Sequence, residues 1–144
     1  MAIKQLSVFL ENTPGTLCET VAAITDAGIN IRALSVADTE KYGILRIIVS
    51  DIEKTKAAIK NDTVVKETPV IAVKMNDEAG ALGSVLKVFR SAGINVEYIY
   101  AFTGAVQGNA YVVIRVDDIE TAEKKLFENG IKALNDEDIK EYLN

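Results

Sequence analysis

The chain carries the same message twice, and nothing else in it constrains the fold as strongly. Glu11-Asn12-Thr13-Pro14-Gly15-Thr16-Leu17 is echoed by Asn76-Asp77-Glu78-Ala79-Gly80-Ala81-Leu82. Each copy runs into a helical pattern that closes on Ala-Gly-Ile-Asn, at Ala27-Gly28-Ile29-Asn30 and at Ala92-Gly93-Ile94-Asn95. The offset of roughly 65 residues is too long for a solenoid repeat and suits one small domain used twice. A unit of that size buries a modest fraction of its surface. Two such units are therefore expected to share an interface and to oligomerise.

Hydrophobic periodicity gives the order of elements within each copy. Ile3 to Leu10 alternates, with Leu6, Val8 and Leu10 set against Gln5 and Ser7, which is the period of a strand. Phe9 interrupts the polar side. After Pro14-Gly15, Leu17, Val21 and Ile24 fall on one helical face, and Gly28 ends the helix in the left-handed conformation that helix C-termini favour. Ile31 to Val36 and Ile44 to Val49 read as strands around a loop, Asp38 to Gly43. Asp51 caps a second helix carrying Ile52, Thr55 and Ile59. Val64 to Glu67 completes the unit as a short fourth strand.

The second copy follows suit. Val70 to Met75 is a strand, and Leu82, Val85, Leu86 and Phe89 form a helical face. Val96 to Ala101 and Ala110 to Val116 are strands around a longer loop. Asp118 caps a helix with Ile119, Ala122, Leu126 and Phe127 inward, and Ile131 to Leu134 is the last strand. A tail, Asp136 to Leu143, has Ile139, Tyr142 and Leu143 spaced for a short amphipathic helix.

The expected class is α+β: two ferredoxin-like βαββαβ repeats with antiparallel sheets and helices on one face. The expected domains are residues 1–68 and 69–144, the second with the short C-terminal helix. Thr68-Pro69 is the whole boundary, so no flexible linker intervenes. The third strands are apolar on both sides, which predicts cover by the other repeat or by another chain.

Composition narrows the chemistry. The chain has 144 residues, 49% of them apolar and 26% charged, a globular composition. No apolar run approaches a membrane span, and the N-terminus has no signal-peptide core; a cytoplasmic protein is expected. The net charge of −5 with scattered basic residues disfavours nucleic acid. Ile44 to Val49 also lacks the stacking aromatics of an RNA-binding sheet. Histidine is absent, which removes the commonest general base and the usual zinc ligand. No catalytic cluster, metal site or cofactor site is read. The turns carry no arginine for an acylphosphatase-like phosphate loop. Cys18 reads as a buried structural thiol.

The repeated turn is where chemistry concentrates. Gly15 and Gly80 let the backbone approach a partner closely, and the amides that follow open a helix, where N–H groups lack intrahelical acceptors and favour anions. Asn12 or Asp77 sits before the turn, and Asn30 or Asn95 lies past the helix. A small zwitterion suits this combination, with amides for its carboxylate and side-chain oxygens for its ammonium. Charge-assisted hydrogen bonds of about 1.5–3 kcal/mol each, with some side-chain burial, reach the ~8 kcal/mol of micromolar affinity. The same residues also serve as plain turn glycines and as asparagines capping backbone groups. Tyr98 and Tyr100 share a strand face and are read as packing residues. Glu97 between them reads equally as a group favouring a cationic side chain or as solvated, and Lys124-Lys125 and Glu137-Asp138 are read as solvated.

The run Asn12 to Leu17, the helix, Gly28-Ile29-Asn30-Ile31, and Tyr42-Gly43 before the third strand resemble an ACT domain. Asp77 to Leu82 with Gly93-Ile94-Asn95-Val96 resembles a second one. The resemblance covers nearly the whole chain except its tail. It implies regulatory binding of a small molecule, typically a free amino acid, at the interface between paired ACT domains. The implied ligand-binding set is Asn12, Thr13, Pro14, Gly15, Leu17 and Asn30, with Asp77, Glu78, Ala79, Gly80, Leu82 and Asn95 in the second copy. It also implies a homodimer or higher oligomer and a partner enzyme, and no catalytic activity of the chain's own. Ala79 replaces Pro14 and Asp77 replaces Asn12, so the two copies predict either non-equivalent sites or a site in only one of them. The competing reading is an assembly module of the same fold with no ligand.

Overall fold

A computed structural model describes residues 2–143. The chain divides into two compact units, Gln5–Thr68 and a second that begins at Pro69 and takes in residues 2–4. In the first unit the order is β1 (Ile3–Glu11), α1 (Thr16–Asp26), β2 (Ile31–Asp38), β3 (Tyr42–Val49), α2 (Ile52–Ala58) and the opening of β4 (Val64–Asn76). In the second unit the rest of β4 is followed by α3 (Ala81–Ser91), β5 (Val96–Ala101), β6 (Asn109–Val116), α4 (Ile119–Glu128), β7 (Ala133–Leu134) and α5 (Asp136–Leu143).

Both units realise the βαββαβ plan, with antiparallel strands and helices on one face. In the first, β3 lies between β1 and β2, antiparallel to each, and β4 lies beside β1. In the second, β7 pairs β4, β4 pairs β6 and β6 pairs β5, all antiparallel. Strands β2 and β5 are therefore the edges of their sheets. The first core gathers Leu6, Val8, Leu10, Leu45 and Ile47 from the sheet under Ile24 and Ile59. The second gathers Ile71, Val73, Ile114 and Val116 under Val85, Phe89, Ala122 and Leu126.

Local chemistry explains the boundaries. Asp51 and Asp118 accept from the amides of Lys54 and Thr121 at 2.9 and 3.1 Å, capping α2 and α4. Helices α1, α3 and α4 each end on a glycine with φ near +70°: Gly28, Gly93 and Gly130. The next amide bonds back into the last turn, Ile29 to Ile24 O, Ile94 to Phe89 O and Ile131 to Leu126 O, the bond of a left-handed C-terminal cap. Asn135 and Asp138 exchange side-chain bonds with each other's amides at 3.0 and 2.9 Å, a reciprocal cap at the start of α5.

The structure corrects several expectations. Val64 to Glu67 and Val70 to Met75 are one strand, because β4 runs through Pro69 without a break. The last strand shrinks to Ala133–Leu134, since the Ile131 amide is committed to the helix cap. Phe127 is 85% exposed; it sits about 100° round the helix from inward Leu126. Cys18 is exposed rather than buried, about 120° round α1 from Ile24, the buried residue of that helix. Gln5 and Ser7, on the polar side of β1, are buried, and Gln5 Nε2 donates to Ser7 Oγ at 2.9 Å.

Tyr98 and Tyr100 stack at 6.4 Å between ring centroids. Glu97 pairs with Arg115 at 3.2 Å and Asp138 with Lys132 at 3.3 Å, so neither is merely solvated. Ile139 is buried; the side chains of Tyr142 and Leu143 lie outside the described residues. Ile48, Tyr111 and Val113, on the helix-free sides of β3 and β6, are buried within the single chain. No helix among the described residues is long and apolar enough to cross a membrane.

Candidate ligand-binding bends

The two bends are the same structure built from different side chains. Gly15 and Gly80 both take φ +87°, with ψ of −17° and −12°. A Cβ at either would meet nothing within 4 Å, so glycine is required by backbone conformation and not by crowding. The hydrogen bonds repeat as well. The Asn12 amide donates to Lys41 O and the Asp77 amide to Gly108 O, both at 3.1 Å. Thr13 bonds Glu11 O and Glu78 bonds Asn76 O, both at 2.9 Å. Glu19 and Ser84 close the first helical turn on Gly15 O and Gly80 O at 2.9 and 3.0 Å.

Neither helix has a side-chain cap at this end. The amides of Leu17 and Cys18, and of Leu82 and Gly83, find no acceptor among the described residues. Each bend therefore offers two open N–H groups at the positive end of a helix, where a carboxylate is favoured. Asn12, Thr13, Pro14, Gly15, Asp77, Glu78, Ala79 and Gly80 are all exposed. Leu17 and Leu82 are 40% and 39% exposed. Thr13 and Thr16 share a hydroxyl hydrogen bond of 2.7 Å at the first bend.

Asn30 and Asn95 do not belong to the same place. Their backbones are fixed at the far end of the sheet: the Asn30 amide donates to Ser50 Oγ at 3.2 Å and the Asn95 amide to Asp117 Oδ1 at 3.0 Å. Their side chains make no hydrogen bond among the described residues, so they cap nothing. Glu11 faces Tyr42 at one end of β3, while Ile31 faces Val49 at the other. At about 3.3 Å per residue that is roughly 23 Å. The register of β6 against β4 and β5 gives the second unit the same separation. One small ligand cannot touch both the bend and the strand-start asparagine of a single unit, and the expected site divides into two half-sets.

A cleft that sequence reasoning missed lies beside the first bend. Its volume is about 520 Å³, and its lining includes Phe9, Thr16, Thr20, Ala23, Tyr42 and Ile59. The signal was present as a difference between the copies: Thr20 and Ala23 stand where the second repeat has Val85 and Val88.

Strand order, helix placement and repeated bends define a pair of ferredoxin-like α+β units. The chain belongs to the ACT domain pair family, matched over residues 1–143. It is similar to a Bacteroides thetaiotaomicron protein of known crystal structure, 36% identical over 96% of both chains with a TM-score of 0.89. It also shares its fold with the ligand-free regulatory subunit of aspartate kinase from Thermus thermophilus. That chain is 14% identical with a TM-score of 0.65, over 87% of this chain and 91% of that one. The corresponding Thermus flavus subunit is 14% identical with a TM-score of 0.60, over 88% and 90%. No curated protein sequence matches the chain.

Proposed function

We propose that this protein is a non-catalytic cytoplasmic sensor of a free amino acid, which regulates a partner enzyme through altered packing. The observation that carries the reading is the twice-built bend with its two uncommitted amides and an uncommitted polar side chain beside them. The amides of Leu17 and Cys18 receive the ligand's carboxylate, and Asn12 receives its ammonium. In the second bend Asp77 takes the place of Asn12, and its carboxylate favours an ammonium more strongly. The two sites are accordingly non-equivalent.

A strand-start asparagine can join a bend only from a different ACT unit. Edge strand β2 provides the means. It pairs with β3 alone, and its Leu34 and Val36 are 41% and 49% exposed. Antiparallel pairing of β2 with β2 of a second copy sets the start of one strand against the end of the other. Asp38 and Leu10 both face Gly43, so that end of β2 is also the end of β1 that leads into Asn12. The partner's Asn30 then arrives at the bend, and a homodimer holds a complete site where a single unit holds half.

Thermal melts and calorimetry with each free amino acid at millimolar concentration test this. A ligand at a hundred times its Kd stabilises by about 2.7 kcal/mol. Asn12→Ala and Asn30→Ala each abolish the first-bend share of that stabilisation in their own homodimers, measured in an Asp77→Ala background that removes the second-bend site. Mixed, they form hybrids with one intact first-bend site, so about a quarter of the first-bend sites return for random pairing in a two-fold dimer. Failure of every amino acid to stabilise the chain refutes the sensor. Stabilisation without recovery on mixing refutes the β2 pairing alone.

A further inference from the structure

The chain contains one Asn-Gly step, Asn129-Gly130. It closes α4, the helix that lays Ala122 and Leu126 on the second core. The step is chemically special. Glycine has no Cβ to shield its amide nitrogen, so that nitrogen can reach the side-chain carbonyl carbon of the asparagine before it. Both residues are exposed, so water has access. The first unit has no counterpart, because α2 is followed by Ile59-Lys60-Asn61-Asp62.

The fold ties up both reacting groups. Asn129 Nδ2 donates to Lys125 O at 2.8 Å, which turns the side-chain amide back along the helix. The Gly130 amide donates to Phe127 O at 3.1 Å, so its proton is held by a carbonyl and not by water. The Asn129 amide is shared between Lys125 O and Leu126 O at 3.2 and 3.1 Å, and the Ile131 amide closes on Leu126 O at 2.9 Å. Four donors in three consecutive residues thus depend on one turn of helix. Such a terminal turn opens far more often than the whole unit unfolds.

We propose that Asn129 is a self-modification site, deamidated by its own backbone when the last turn of α4 opens. In the opened turn the Gly130 nitrogen loses its proton to water and attacks Asn129 Cγ. The N–Cγ bond forms, the Cγ–Nδ2 bond breaks, and Nδ2 leaves as ammonia, taking up a proton from water. Water then opens the cyclic imide. Attack at Cγ breaks the new N–Cγ bond and leaves aspartate; attack at the backbone carbonyl breaks the original peptide bond and leaves isoaspartate. Either product unsettles the cap. Each replaces a donor to Lys125 O with a carboxylate at the negative end of the helix. Isoaspartate also adds a backbone carbon between Leu126 and Ile131, whose hydrogen bond spans the turn. The change is confined to the second unit and is not reversed by reclosing.

Incubation of the full chain at near-neutral pH, followed by peptide mapping with mass spectrometry, tests this. Asn129 is followed in the folded chain, in the chain unfolded by guanidinium, and across a series of sub-denaturing urea concentrations. Modification in the folded chain is expected to be at least about tenfold slower than in the unfolded one, since the turn is mostly closed. Sub-denaturing urea leaves the folded rate nearly unchanged, because opening one turn exposes little surface. Lys125→Gly removes the Lys125–Glu128 ion pair of 3.1 Å and weakens the turn itself. It speeds modification of the folded chain about fivefold and leaves the unfolded rate alone. If that variant does not fold, the urea series carries the test. The proposal is overturned by equal rates in folded and unfolded chains, by a folded rate that climbs with urea in step with global unfolding, by an unchanged rate in folded Lys125→Gly, or by no modification of Asn129 in the unfolded chain.

Discussion

Two glycines with the same open surroundings are expected to respond to the same substitution with opposite signs. A Cβ at Gly15 or at Gly83 would meet nothing within 4 Å, yet Gly15 holds φ +87° while Gly83 lies in the first turns of α3. With no clash at either site, only backbone preference remains. Forcing an L-residue into the left-handed region costs about 1–2 kcal/mol, whereas alanine in a helix is favoured over glycine by about 0.5–1 kcal/mol. Gly15→Ala should therefore destabilise by about 1–2 kcal/mol and Gly83→Ala should stabilise by about 0.5–1 kcal/mol. Urea titrations with linear extrapolation resolve a gap of this size. D-alanine at position 15, introduced by peptide ligation, takes the positive φ without strain and should restore stability to at least the wild-type value. A Gly15→Ala variant indistinguishable from wild type, or D- and L-alanine behaving alike, would refute the claim that the bend needs glycine for conformation alone.

Phe89, 1% exposed in the second core, should cost about 3–5 kcal/mol as alanine. Phe127→Ala, at an 85% exposed position, should stay within about 0.5 kcal/mol of wild type by the same urea assay. Cys18 should react with iodoacetamide in the native protein without denaturant, and a need for denaturant would contradict its exposure on α1. Hydrogen bonds from Thr121 hold the Asp118 carboxyl below its ordinary value of 3.8, and the Asn135 amide does the same for Asp138 against the smaller opposing effect of burial. A depressed folded value contributes stability that is complete above the unfolded pKa and is lost as pH falls through the folded one. Asp118→Asn and Asp138→Asn should therefore flatten the loss of urea resistance below about pH 4.

Much of the fold was legible because each element carries its own punctuation. Asp51 and Asp118 announced α2 and α4, and Gly28 and Gly93 announced the ends of α1 and α3. Alternation located β1, and apolar runs β5 and β6, to within a residue or so. The misreadings arose where punctuation and geometry part company. Proline ends most strands because it cannot donate to the ladder, yet Pro69 sits inside β4 with its carbonyl accepting from Arg115 at 2.7 Å. Ile131 looks like a strand residue by type, but its amide is spent on Leu126 O. Cys18 and Phe127 were placed by hydrophobicity, while helical phase put both outside the buried stripe.

The candidate site reads in the sequence as two sets of residues whose arrangement the sequence does not show, and the reason is topological. In a β-α-β crossover the chain climbs one strand, returns down the helix and climbs the next in the same direction. A residue at the end of the first strand and one at the start of the second are thereby set a full strand length apart, however close the repeated motifs make them look in sequence. Asn12 and Asn30 obey this rule, and Asp77 and Asn95 obey it again. In the proposed reading, an exposed bend with open amides at one end of the sheet and an uncommitted asparagine at the other are the two halves of a recognition surface. Such halves would be complementary under a two-fold operation that reverses strand direction, which the proposed antiparallel pairing along the edge of β2 supplies. Ligand binding and assembly would then be linked, because a ligand gripped from both sides would stabilise the pairing that creates its site, and loss of the edge contact would be loss of the site.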